Sequence, residues 1–233
     1  MGGIDQRGAD GTNGAPGTNG TVGAVGSNGA DAVCTSLFSN DEGSGRGGDG
    51  GPGGNGGPGG NGGDGDPGKT FEIHVEVLGS GWEVDTSGGK GGNGGAGGKG
   101  GAGGAGGKGG FGRDCEPSGY GGKGGDGANG GNGGNGGNGG IPGDLLVFYV
   151  SDQSSGMNIF ISKGGGSGDA GPGGGGGDAG AQGENGDYSD FSHAVTSAGD
   201  PSPAGKAGST GVAGAPGKTA SAKTGKFTQV TQI

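Results

Sequence analysis

Residues 46–67 read RGGDGGPGGNGGPGGNGGDGDP, with two glycines and one other residue in almost every triplet. Three residues is the repeat of the polyproline II helix, so each glycine position forms a continuous stripe along one side of such a helix. Glycine lets backbones approach closely along these stripes, and the amides buried there need hydrogen-bond partners on other segments. The repeat therefore predicts several extended segments that pack through lateral backbone hydrogen bonds.

The same period of three recurs along the whole chain. The 233 residues include 81 glycines, and only 24% are hydrophobic, which excludes an ordinary apolar core. The predicted tracts, numbered 1 to 6, cover residues 8–29, 46–67, 87–111, 120–141, 165–186 and 205–217. Tracts 2, 3 and 4 have two bare faces and are expected inside the bundle, with tracts 1, 5 and 6 at its edges.

The segments between the tracts are predicted to gather at two ends of a single unit, residues 1–233. Tracts 1 to 5 have similar lengths, which at about 3.1 Å per residue gives rods of roughly 70 Å. If successive tracts alternate in direction, one end collects residues 69–86, 142–164 and 218–233. The other end then collects the loops at residues 30–45, 112–119 and 187–204.

The first of these ends carries the apolar segments. Residues 71–77 alternate apolar and polar side chains and are followed by a glycine turn and residues 82–84, which is typical of a β-hairpin. Residues 145–150 and 157–161 predict a second hairpin. The predicted fold class is therefore non-α: a bundle of about six left-handed polyglycine II/polyproline II helices with a small antiparallel β cap at one end.

The C-terminal segment is predicted to make contacts between molecules. Its apolar residues Phe227, Val230 and Ile233 mark a candidate assembly strand. Such a strand can add to the sheet edge of a neighbouring copy. We therefore expect self-association into a homo-oligomer or filament.

The opposite end carries the two cysteines, Cys34 and Cys115, in the first and third loops. They form either a disulfide, the preferred interpretation, or two unpaired thiols. A disulfide would indicate an extracellular or virion-surface location. The loop of residues 187–204 contains Tyr188, Phe191 and His193, which either contact a receptor or pack over the end of the bundle.

Several classes of function are disfavoured. The net charge of −10 argues against a nucleic-acid partner, and no apolar run is long enough for a membrane span. No catalytic motif is present, so neither an enzyme nor a cofactor is expected, and no metal. Residues 59–66 and 121–128 resemble a calcium-binding nonapeptide but lack its large apolar residue. His74, between Glu72 and Glu76, is better explained by a solvated strand face than by a metal site.

Two families share this pattern. Residues 7–17, RGADGTNGAPG, and residues 53–63, GGNGGPGGNGG, resemble springtail glycine-rich antifreeze proteins, which are bundles of polyproline II helices. Glycine tracts with variable loops at one end are also similar to the tail-fibre tip adhesins of T4-like bacteriophages, whose loops bind host receptors. The β segments and the Lys, Asp and Asn side chains depart from the antifreeze pattern.

The sequence as a whole predicts a non-enzymatic structural protein. We expect a subunit of an extracellular filament, appendage or virion, in which the glycine tracts form a rigid rod. A receptor-binding adhesin that uses the loops at the cysteine end to bind a cell-surface receptor is the alternative. Antifreeze activity is the third hypothesis.

Overall fold

The computed structural model describes residues 3–35, 41–188 and 226–229. Its regular elements are six strands, and no helix is assigned within the described residues. The strands are β1 (Ile4–Asp5), β2 (Phe71–Leu78), β3 (Glu83–Asp85), β4 (Leu145–Asp152), β5 (Ile159–Ile161) and β6 (Lys226–Gln229). Tract 6 and the residues Phe191, His193, Val230 and Ile233 lie outside the described part of the chain.

Alternate tracts run parallel and are joined by backbone hydrogen bonds. In tract 1 every glycine donates to tract 3, from Gly8 to the carbonyl of Ser87 (2.9 Å) through to Gly29 and Lys108 (2.8 Å). Tract 3 donates to tract 5, and tract 2 to tract 4, with the same spacing of three residues. Tracts 1, 3 and 5 therefore form one layer, and tracts 2 and 4 lie in a second.

Successive tracts run antiparallel and join the two layers. Gly48 donates to the carbonyl of Ser27 and Gly63 to that of Thr12, both at 2.7 Å, so tract 2 runs back along tract 1. Tract 3 bonds in the same way to tract 2, tract 4 to tract 3, and tract 5 to tract 4. Tract 3 is thus bonded to tracts 1, 2, 4 and 5, and the lateral bonding that the triplet repeat predicts is present.

The predicted antiparallel cap is wrong. Strands β2 and β3 are neighbours in the chain but lie in different sheets, one ordered β1-β3-β5 and the other β2-β4-β6, and every pairing is parallel. The direction of the tracts explains this. Strands β1, β3 and β5 lead into tracts 1, 3 and 5, whereas β2 and β4 continue tracts 2 and 4, so each strand inherits the parallel direction of its layer.

The predicted fold class is therefore wrong in its stated form. The described residues contain no assigned helix, and their regular elements are parallel strands in two small sheets. The glycine tracts are extended segments joined laterally, which continue these strands away from the cap.

A small apolar core lies where the strands meet the tracts. Val84 and Val147 are fully buried, and Leu145 is nearly so. The buried hydroxyl of Thr86 lies 3.2 Å from the carbonyl oxygen of Gly143, which satisfies it within this core. Burying an aliphatic side chain contributes about 1.5–3 kcal/mol, so these few residues anchor the cap, while the tracts depend on backbone contacts.

Two adjacent glycines provide a test of this packing. A Cβ at Gly174 would overlap the carbonyl oxygen of Gly98, whereas a Cβ at Gly175 would have no atom within 4 Å. We expect Gly174→Ala to lower the free energy of unfolding by about 1–3 kcal/mol or more, because the tracts must separate. We expect Gly175→Ala to change it by less than about 0.5 kcal/mol. Thermal unfolding of both variants measures the difference, and equal melting temperatures would contradict the packing.

Candidate functional site

The outer faces of the layers carry a repeated side-chain contact. The backbone N–H of Lys99 donates to Oδ1 of Asn19 at 2.9 Å. The next residue after Asn19, Gly20, donates its own N–H to the carbonyl of Lys99 at 2.8 Å. Asn19 and Gly20 together therefore hold one residue of the neighbouring tract through both its N–H and its C=O. We refer to this pair of bonds as an Asx-Gly clamp.

The clamp recurs along three pairs of tracts. It joins tract 1 to tract 3, tract 2 to tract 4, and tract 3 to tract 5. With the clamping residue first, the pairs are Asp10–Lys90, Asn13–Asn93, Asn19–Lys99, Asn28–Lys108, Asp49–Lys123, Asn55–Asn129, Asn61–Asn135, Asp64–Asn138 and Asn93–Asp169. Because a slip of one or two residues would place the Asx side chains opposite the wrong positions of the triplet, the clamps exclude such slips between tracts.

The clamps are interrupted where tract 1 carries valine. Gly23 and Gly26 donate to the carbonyls of Ala102 and Ala105, so Val22 and Val25 occupy the clamping positions opposite these alanines. Both valine side chains are 72% exposed. The outer face of the first layer therefore alternates between clamped polar rows and short apolar rows.

Exposed ion pairs add to the cross-tract contacts. Lys108 Nζ lies 2.7 Å from an oxygen of Asp187, and this hydrogen bond raises the pKa of Lys108. Lys99 contacts Asp178 at 3.4 Å. Exposed pairs of this kind contribute little to stability, so the clamps and backbone bonds carry more of the cohesion.

The structure joins Cys34 to Cys115 through a disulfide, with a Cα–Cα distance of 5.9 Å. Nearby, the Ser44 hydroxyl donates to the carbonyl of Pro117 at 2.6 Å. Tyr188 lies at this same end, where it forms a parallel bridge with Gly112. The disulfide end therefore includes Tyr188 of the candidate recognition loop, while the other two residues of that set are outside the described chain.

The candidate assembly strand is used within the chain. Strand β6 pairs with β4, and Phe227 lies in register with Val147. This pairing occupies one side of β4 and one side of β6, and it leaves β6 at an edge of the sheet. Among the described residues, the longer unpaired edge belongs instead to β2, the outer strand of that sheet.

Strand β2 presents a polar row to solvent. His74 contacts Glu72 at 2.8 Å and stacks on Phe148 with ring centroids 4.5 Å apart. The predicted hairpin left no open edge on this side of β2, because it placed residues 82–84 beside this strand. Within the part of the chain that the structure describes, no group of His, Cys, Asp and Glu is suited to hold a metal, and no helix is long and apolar enough to cross a membrane.

Comparisons with known proteins add one resemblance. No family model matches the chain, and no curated protein matches it. A solved structure of a springtail antifreeze protein from Granisotoma rainieri, described as a bundle of nine polyproline type II helices whose crystal waters match the ice lattice, is 31% identical in sequence. The match covers 55% of this chain and 95% of that one, with a TM-score of 0.09. The two chains resemble each other in sequence.

The ion pair at the base of the cap generates a pH dependence. Hydrogen bonds from the side chain and backbone of Arg7 lower the pKa of Asp5 from 3.8 to about 2. Since the pKa in the folded state is the lower one, the pair stabilises the fold above the unfolded value and loses this effect as pH falls towards 2. Asp5→Asn should therefore lower the melting temperature slightly near pH 5 and leave it almost unchanged near pH 2. A difference that stays constant across this range would contradict the assignment.

The disulfide generates a second prediction. It closes a loop across a sequence separation of 81 residues. In the chain-entropy model such a link contributes on the order of 4 kcal/mol. Cys115→Ser should lower the denaturant midpoint markedly, and reduction of the wild-type protein should lower it to a similar extent. Unchanged midpoints in both experiments would show that this link does not contribute to stability.

Proposed function

We propose that this protein is a non-enzymatic structural subunit of an extracellular filament, appendage or virion. The observation that carries the proposal is the lateral bonding of the tracts, in which backbone bonds repeat every three residues and Asx-Gly clamps reinforce many of them. A body cross-linked at this spacing resists both sliding and bending. Mechanical stiffness is the property that a filament subunit requires.

Further glycine tracts are a poor means of joining such subunits. Between the tracts of this protein a Cβ would overlap backbone, as at Gly95 against Ala15. Tract 1 carries side chains at two of every three positions, so its remaining faces do not allow the backbone of a further tract to approach as closely. Lateral growth of the rod by simple addition of tracts is therefore disfavoured, and assembly is more easily achieved through the cap.

The open edge of β2 is the contact we assign to assembly. In a parallel pair of strands, every second residue directs both its N–H and its C=O to the partner strand. Phe71 is such a residue, because its N–H donates to the carbonyl of Asp144, the residue just before β4. Glu72 and His74 then direct their N–H and C=O groups to the open edge, whereas the Glu76 carbonyl faces the Ser151 hydroxyl of β4. An eight-residue edge of this kind can accept a strand from another molecule. Among the described residues, the other sheet offers only shorter edges, the two residues of β1 and the three of β5.

A second candidate function is receptor binding at the disulfide end. It is favoured by the convergence of two loops, the disulfide and Tyr188 in one place. A rigid rod would then serve to present this end to a cell-surface receptor. The two functions use opposite ends of the molecule, so one assembly experiment can separate them.

Replacing His74 tests the assembly contact. His74→Pro removes an N–H that faces the open edge and should prevent strand addition, while β2 remains paired with β4. His74→Ala is the matched control, because it removes the same ring contacts and keeps the N–H. Electron microscopy should show filaments or ordered oligomers for the wild type and the alanine variant, and isolated particles for the proline variant. Wild-type protein that remains as isolated particles and binds cells would overturn the structural proposal in favour of the adhesin.

A further inference from the structure

Many of the clamping residues are asparagines followed by glycine, a dipeptide prone to spontaneous deamidation. In this reaction the glycine amide nitrogen loses its proton and attacks Cγ of the asparagine, and the side-chain nitrogen leaves as ammonia. The resulting succinimide is then opened by water to aspartate or isoaspartate. The attack requires a free glycine N–H and a side chain that can rotate towards it.

We propose that the Asx-Gly clamps protect these bonds from deamidation. At Asn19 the side-chain Oδ1 accepts from Lys99 N–H, and Gly20 N–H donates to Lys99 C=O. Both reacting groups are therefore bound to one residue of the neighbouring tract. Succinimide formation first requires both bonds to open, which happens only when the two tracts separate locally.

The protection extends over both layers. The same two bonds hold Asn13, Asn28, Asn55, Asn61 and Asn93, each of which precedes a glycine. Six asparagine-glycine bonds along the rod are thus clamped, counting Asn19. The inference rests on these contacts alone and holds whether or not the protein assembles.

The chemistry of the products explains why the protection matters. Conversion to aspartate is tolerated by the architecture, since Asp10, Asp49 and Asp64 form the same clamp. Isoaspartate instead adds a methylene to the backbone, which displaces every later residue of the tract from the three-residue spacing. One such event would break the lateral bonds of that tract beyond the modified residue.

The first experiment compares folded and unfolded protein. Wild-type protein is incubated at mildly alkaline pH with and without denaturant, and peptide mass spectrometry measures aspartate and isoaspartate at each clamped site. We expect deamidation to be at least roughly tenfold slower at the clamped sites in the folded protein, because two hydrogen bonds must open. Equal rates in the two states at these sites would overturn the proposal.

A variant separates the clamp from general folding. Lys99→Pro removes the N–H that binds Asn19, and proline is compatible with this triplet position, as Pro52 and Pro58 show. Ala102→Pro is the matched control, because the residue opposite is Val22 and no clamp is lost.

The expected result is specific to one site. Lys99→Pro should accelerate deamidation of Asn19 severalfold and leave Asn13 and Asn28 unchanged, whereas Ala102→Pro should leave all three unchanged. An unchanged rate at Asn19 in Lys99→Pro would show that the side-chain bond gives no protection. Acceleration at all three sites in both variants would attribute the protection to folding in general, and would also overturn the role of the clamp.

Discussion

The structure depends on the close approach of glycine backbones. Interior tracts lie so near each other that a Cβ at Gly98 would overlap the carbonyl of Thr18, and the same is true along the whole of tract 3. This distance is what allows each interior tract to form backbone hydrogen bonds, donated or accepted, with three or four neighbouring tracts. Each hydrogen bond contributes only about 0.5–1.5 kcal/mol net, while ordering a glycine is costly, so the bundle is stable only when many bonds form together.

Glycine supplies proximity, but it does not specify which tract lies where. A stripe of glycines has the same shape at every triplet, so two tracts could slide past each other by three residues with little change in backbone bonding. The Asx-Gly clamps exclude slips of one or two residues, but after a slip of one triplet Asn19 would meet the backbone N–H and C=O of an alanine in place of those of Lys99. The contacts at the two ends of the tracts must therefore distinguish between registers that differ by three residues.

The sequence predicts tracts 1 to 5 and their lateral bonding, because a period of three extends over many residues. Their alternating direction is a condition that only their similar lengths suggest. It does not predict the partners of the strands. The alternation of apolar and polar residues in β2 is compatible with a hairpin or with pairing to any distant strand. The predicted hairpin paired β2 with the nearest apolar segment, residues 82–84. The structure pairs Ile73 with Val147, since parallel tracts deliver β2 and β4 side by side. The clamps join tracts 1 and 3 at a constant offset of 80 residues, which only the structure shows, because the bonds go to backbone groups that every residue of tract 3 has.

That constant offset also accounts for the two ends of the rod. Strand β1 pairs Ile4 with Val84, again 80 residues apart, and the disulfide joins Cys34 to Cys115 across 81. One register between tracts 1 and 3 therefore runs unbroken from the cap to the cysteines. A slip by a single triplet would move the cysteines apart by roughly 9 Å along the rod, which is beyond the reach of a disulfide. The disulfide is therefore compatible only with this register, and once formed it excludes every alternative.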